Sequence, residues 1–243
     1  MVFLERVAVE RISHPFSLYS TIAMLGSYDF RSNLKLNRAI VFLLTSVGLF
    51  SIASPALAHH PFGGKTPTNF FEGFLSGLGH PVVGVDHLTF TIAIGLLAAT
   101  LGVRGLAIPV AFVLMAMAGT GFHLASVDLP ALEIIISASV LLFGILLARK
   151  GLPNLVLAII AAAVAGIFHG YAYGEAVIGA EMNPLVAYLA GFTFIQLAIA
   201  LIAYTIAQFA LKTVSEPPNL SLRFAGFTIC GIGAAFLASS VLG

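Results

Sequence analysis

The chain has 243 residues, of which 59% are hydrophobic and 9% charged, with a net charge of +1 and a mean hydropathy of +1.05. Soluble domains carry about 25% charged residues, so this composition excludes an ordinary water-soluble globule, and the absence of a basic patch excludes a nucleic-acid binder. Cys230 is the single cysteine, which excludes an intramolecular disulfide and a thiolate metal cluster.

In chain order, the first element is the apolar run 39–58, AIVFLLTSVGLFSIASPALA, preceded by Arg31, Lys35 and Arg38. A basic region, an apolar region and a small-x-small ending at Ala56-Leu57-Ala58 form the pattern of a cleavable secretory signal. Residues 1–58 are therefore expected to be removed, with Met24 giving a more ordinary start and His59 heading the mature chain. Residues 59–81 are expected to be an outer-side lead-in. It begins with the polar stretch HHPFGGKTPTNFF, and a short amphipathic or re-entrant helix over 72–79 ends at the first motif.

Six apolar spans follow within 82–243, at roughly 82–101, 106–124, 131–148, 153–172, 184–211 and 222–242. The expected fold class is all-α, a polytopic six-helix membrane bundle, with antiparallel neighbours because the connections are short. With His59 outside, Arg104, Arg149, Lys150, Lys212 and Arg223 fall on the cytoplasmic side, while Asp128, Glu175 and Glu181 fall outside. That distribution obeys the positive-inside rule and implies an inner-membrane, multi-pass protein with its mature N-terminus outside.

The same topology places four histidines in the outer half. Residues 79–87 read GHPVVGVDH and bring His80, Asp86 and His87 to the start of the first span. His123 closes the second span, and His169 lies near the outer end of the fourth, six residues before Glu175. Pro81 suits a first helical turn. A helix through His80 and His87 would return both to one face, and Gly84 would leave a gap there for a neighbour or an ion. An aspartate at the centre of a membrane helix costs roughly 2.5–3.5 kcal/mol, and no lysine or arginine shares its depth. A divalent cation held with imidazoles would compensate the charge, and without thiolates nickel, cobalt and zinc remain open. His59 and His60 add an amine and two imidazoles for capture at the surface. Gly166, Gly170 and Gly174 form a stripe for close helix approach, and Gln196 is expected to hydrogen-bond between helices.

His80-Pro81-x-x-Gly84-x-Asp86-His87 resembles the HPxxGxDH signature of the HupE/UreJ family, and Phe168-His169-Gly170 followed by Glu175 resembles its second motif. The chain departs from that pattern at Tyr173, where a histidine is common, at Thr91, where a methionine is common, and in the placing of Glu175. The resemblance covers essentially all of 59–243. It implies a non-enzymatic permease taking up Ni²⁺, with Co²⁺ and Zn²⁺ as alternatives, for hydrogenase or urease maturation proteins. On that reading His80, Asp86, His87 and His169 form the metal site, and His59, His60, His123 and Glu175 are entrance ligands. Two rival readings stand beside it. One is a metal sensor or assembly subunit that binds without transport. The other is an intramembrane metalloenzyme with Glu175 as its base.

Overall fold

The computed structural model describes residues 66–213 and 220–242. The expected signal segment and the surface pair His59 and His60 lie outside these residues. All regular structure among the described residues is helical. The helices are α1 (Phe70–Val83), α2 (Val85–Thr100), α3 (Ala107–Leu124), α4 (Leu132–Ala148), α5 (Leu155–Gly174), α6 (Met182–Thr213) and α7 (Leu220–Leu242), with 3-10 turns at Gly102–Leu106 and Glu175–Val177.

Helix α1 starts where the sequence supplies a cap. The Asn69 side chain accepts the Glu72 N–H at 3.0 Å, and the Glu72 carboxylate accepts both the N–H and the hydroxyl of Thr68 at 2.8 Å. These bonds satisfy donors that a helix start leaves open. The helix does not stop at the motif as expected. It carries His80 and Pro81 into its last turn, and the chain breaks at Gly84, which is extended at φ −72°, ψ 105°. Pro81 therefore lies in the last turn of one helix instead of opening the next, and its missing N–H leaves the Gly77 carbonyl without its helical donor just before the chain breaks. The axis bends by 80° between α1 and α2.

Four helical stretches are long and apolar enough to cross a membrane: Gly102–Leu124, Leu155–Val177, Met182–Thr213 and Leu220–Leu242. A fifth is counted if α1 and α2 are one broken span. Helix α4, with 17 residues, sits at the short edge of the roughly 17–25 residues a span needs. Helix α6, with 32 residues, is about 48 Å long at 1.5 Å per residue and exceeds the ~30 Å apolar layer.

The closest packing joins helices that are not consecutive, where the short connections had suggested neighbours in sequence. Helix α3 lies on α5 in the same direction, with Phe112 beside Gly166, Ala116 beside Gly170 and His123 beside Gly174. Helix α2 runs along α6 in the same direction, with Gly95 against Ala200 and Gln208 donating to the Ala99 carbonyl at 2.8 Å. Helix α1 uses the earlier part of α6, where Gly73 meets Pro184 and Gly77 meets Tyr188. Helix α4 is antiparallel to α7, with Gly144 against Cys230 and the Arg223 side chain donating to the Ala148 carbonyl at 3.0 Å. The cause is where the glycines fall. Water drives no helix association inside lipid, so backbone approach through small residues decides the pairs.

Helix α2 is buried nearly all round, as expected of a helix apolar on every face. Phe90, Ile94 and Leu97 form the centre of the bundle, and the Phe90 ring lies 5.0 Å from Phe112 and 4.9 Å from Phe143. The described charges separate completely by helix end. Glu72, Asp86, Asp128, Glu133, Glu175 and Glu181 gather at one end, and Arg104, Arg149, Lys150, Lys212 and Arg223 at the other.

Candidate functional site

Three imidazoles meet inside the acidic end of the bundle. His80 comes from the last turn of α1, His87 from the first turn of α2 and His169 from the last turns of α5. All are buried, His169 completely. The His87 and His169 rings are 4.9 Å apart, and the His80 and His87 rings 6.1 Å. The break at Gly84, and not a continuous helix, creates this approach: α1 and α2 each present one histidine to the inside of the bend.

The hydrogen bonds admit a self-consistent placing of the ring protons with neutral imidazoles. Ser139 Oγ lies 2.6 Å from the Ile136 carbonyl, which can only accept. With the hydroxyl proton on that bond, His169 Nε2, 2.9 Å from the same oxygen, is the donor. That leaves His169 Nδ1 as an acceptor for His87 Nδ1–H at 2.8 Å. A second chain follows the same logic. Tyr188 donates its hydroxyl to the Tyr173 carbonyl at 2.8 Å, so His80 Nδ1 donates to Tyr188 Oη at 3.1 Å. The Tyr173 ring lies between the two branches, 5.1 Å from His80 and 4.7 Å from His87.

Asp86 lies beside the His87 ring, both being within reach of the Gly84 position. Half-buried in the first turn of α2, it turns one carboxylate oxygen back to accept the His87 N–H at 2.8 Å. The physical cause is the helix break: α2 begins at Val85, its first N–H groups have no helical partner, and the carboxylate is the nearest acceptor. His123 and Glu175 stand apart from the cluster's hydrogen bonds. His123 is half-buried, packs 4.4 Å from the Tyr171 ring and lies against Gly174, and Glu175 is exposed on the 3-10 turn after α5. Among the described residues, no three His, Cys, Asp or Glu side chains surround one point at ligating distance. The nearest approach to such a set is the pair of Nδ1 atoms. Two imidazole nitrogens at ~2.0–2.1 Å from one ion, at right angles, stand about 2.9 Å apart, close to the 2.8 Å separation found.

Gly84 has a different role from the gap expected of it. A Cβ there would lie 2.6 Å from His87 Cδ2 and 3.3 Å from Asp86 Oδ1. The space is filled by the His87 ring itself. Gly84→Ala is expected to push that ring from His169 and weaken divalent-metal binding about tenfold or more with little loss of folded protein, as read by equilibrium binding to purified protein.

Ser139, Tyr173 and Tyr188 are the site residues that spacing alone does not reveal. Their one sequence signal is a hydroxyl inside an apolar span, which needs a partner once buried. Gln196 also differs from expectation. It donates to the Phe192 carbonyl of its own helix at 3.1 Å, and its Oε1 has no partner.

The family model described as HupE / UreJ protein matches residues 47–236. A relative from Rhizobium leguminosarum bv. viciae, Protein HupE, is 29% identical over 191 residues, covering 78% of this chain and 94% of the relative. No solved structure matches. The family match takes in α1 through most of α7 and every member of the buried imidazole cluster, and the chain belongs to the HupE/UreJ family.

Proposed function

We propose that the protein is an inner-membrane permease for a divalent cation, Ni²⁺ before Co²⁺ or Zn²⁺, that supplies hydrogenase or urease maturation proteins. The observation that carries this reading is the convergence of His80, His87 and His169 from three helices into one buried cluster. Neutral imidazole is a good ligand for these metals. Binding requires His87 to present its Nδ1 lone pair, so the proton now shared with His169 moves to the other ring nitrogen or leaves. The ion then takes the place of a hydrogen bond, and both rings must turn so that the nitrogens now facing each other converge on it. Asp86, next to His87, supplies negative charge beside the site.

The charge separation along the bundle supports an orientation with the acidic end outside and the basic end in the cytoplasm. Glu175 and His123 then stand at the entrance, with His59 and His60 as the first capture point on the mature N-terminus. No ATPase loop occurs in the sequence. The membrane potential, about 2.3 kcal/mol per charge per 100 mV, is the driving force on this reading. A second reading, delivery to a partner without transport, draws on the apolar packing of Phe90, Ile94, Leu97 and Phe112 beyond the cluster.

Uptake of radioactive Ni²⁺ in a host lacking nickel transport separates the two. The parent is expected to accumulate nickel against Co²⁺ and Zn²⁺ competitors. His87→Ala should fall to the host background and Asp86→Ala at least tenfold, at equal membrane expression. A parent that binds nickel in detergent but accumulates none would establish the delivery reading.

A further inference from the structure

The His169 ring is held from two sides by two different helices. Its Nδ1 faces His87 Nδ1 of α2 at 2.8 Å, and its Nε2 faces Ser139 Oγ of α4 at 2.9 Å. Around the ring the neighbours are apolar, with the Phe90 ring at 4.5 Å and the Phe112 ring at 5.6 Å. The ring is completely buried, so each nitrogen depends on the partner it has. Ser139 is itself buried in the middle of α4, and its hydroxyl lies 2.6 Å from the Ile136 carbonyl of its own helix. A hydroxyl has one proton and two lone pairs. With that proton turned to His169, two acceptor oxygens would face each other at 2.6 Å. With it turned to Ile136, a lone pair is left for His169 Nε2–H. The consequence reaches the opposite side of the ring. A neutral imidazole has a single N–H, so a proton kept on Nε2 leaves a lone pair on Nδ1, where His87 stands.

We infer that Ser139 is a positioning residue for the cation site: its hydroxyl holds His169 in the Nε2–H form and so makes Nδ1 the nitrogen presented to the ion. This deepens the permease reading and rests on it for the ion. Outer partners of this kind fix the tautomer and orientation of metal-binding histidines in general. A serine does so without charge. A carboxylate in its place would raise the basicity of the ring and tighten its hold, whereas a neutral hydroxyl orients the ligand and lets the ion leave. In Ser139→Ala the buried Nε2–H loses its acceptor. The form with the proton on Nδ1, donating to His87, then becomes the better one, and that proton occupies the lone pair the ion needs.

The test uses the purified full chain in detergent, with ¹⁵N-labelled histidines and Zn²⁺ as a diamagnetic probe. His169→Gln identifies the His169 signals by their loss. In the metal-free parent His169 is expected in the Nε2–H form, and Zn²⁺ should shift its Nδ1 signal. Ser139→Ala should move the proton to Nδ1 and weaken Zn²⁺ binding about tenfold or more, with a folded yield near the parent's. Ser139→Thr keeps a hydroxyl that can bond the same carbonyl and should restore both the tautomer and the affinity. A parent with the proton on Nδ1, or a Ser139→Ala protein with the parent's tautomer, overturns the assignment whatever the affinity. A changed tautomer with parent-like affinity overturns the link to the ion. Nickel uptake in cells is read separately. A parent that meets these expectations and accumulates no nickel would uphold Ser139 at a cation site and defeat the permease reading.

Discussion

His169→Ala is expected to abolish nickel binding and to leave the protein markedly less stable. The ring is completely buried, 4.9 Å from His87, 4.5 Å from Phe90 and 5.6 Å from Phe112. Truncation removes the acceptor of His87 and the donor to Ser139 together, and opens a cavity among aromatic rings. Large-to-alanine changes in such places cost about 3–5 kcal/mol, and each buried group stripped of its partner adds about 1–3 kcal/mol. A loss of uptake in this variant would therefore mix ligation with folding. His169→Gln separates them. Its amide keeps one donor for Ser139 and one acceptor for His87 in a similar volume, while its oxygen is a poor substitute for imidazole toward nickel. Near-parent yield and melting temperature are expected for it, with nickel affinity reduced about a hundredfold or more by isothermal titration. Parent-like affinity in His169→Gln would remove the ring from the ligand set.

The depth of these groups was legible in the sequence, and their partners were not. Hydropathy marked the spans from 106 to the C-terminus to within a few residues of α3 to α7, because an apolar run of that length has few other ways to satisfy its backbone. Counting turns from the helix ends placed His80, His87 and His169 at one end of the bundle, where the structure has them. The break at Gly84 was not legible. Pro81 suits a first turn best, and the sequence HPVVGVD has no local feature that moves it into the end of the preceding helix. That expectation carried through to Asp86, since only a helix that begins at Val85 brings its carboxylate back to the His87 N–H. Ser139 and Tyr188 were invisible for another reason. Each lies in a different helix from the histidine it serves, 30 residues from His169 and 108 from His80, and pattern within one helix says nothing about partners in another.

The broken helix explains why one short motif serves two elements. Extended backbone at membrane depth is tolerated only where protein covers it. Gly84 is buried, and its amide remains bonded to the His80 carbonyl at 3.2 Å while its carbonyl accepts the Leu88 N–H at 2.8 Å. The bend therefore leaves both backbone groups of Gly84 satisfied. The two half-helices then share α6 as a common support, α1 on its first part and α2 on its second. The residues of the site are held by helix ends whose positions are set by packing several turns away, so substitutions along those contacts should disturb the site from a distance.

Gly170→Val is expected to be the most damaging of these. A Cβ at Gly170 would run into the Ala116 carbonyl, and one at Gly119, on the facing helix, into the Ile167 carbonyl. Both obstacles are backbone, so no rotamer change relieves them, and α3 and α5 must separate. Overpacking usually costs about 1–3 kcal/mol. Here the cost should exceed that range, because the whole helix pair loses its contact, and close contact is what joins helices in lipid. The separation would also break the bond from the Thr120 hydroxyl to the Gly170 carbonyl at 2.7 Å, and it would move His169, the preceding residue in α5, from His87. Size-exclusion chromatography in detergent should show loss of the monodisperse peak, and any folded remnant should fail to bind nickel. Gly121→Val is the matched control. It introduces the same side chain into the same helix as Gly119, where a Cβ meets nothing within 4 Å. Its yield, melting temperature and nickel affinity should stay close to the parent's. Equal damage in both variants would mean that valine harms α3 by itself, and the glycine contact between α3 and α5 would lose its place as the support of the site.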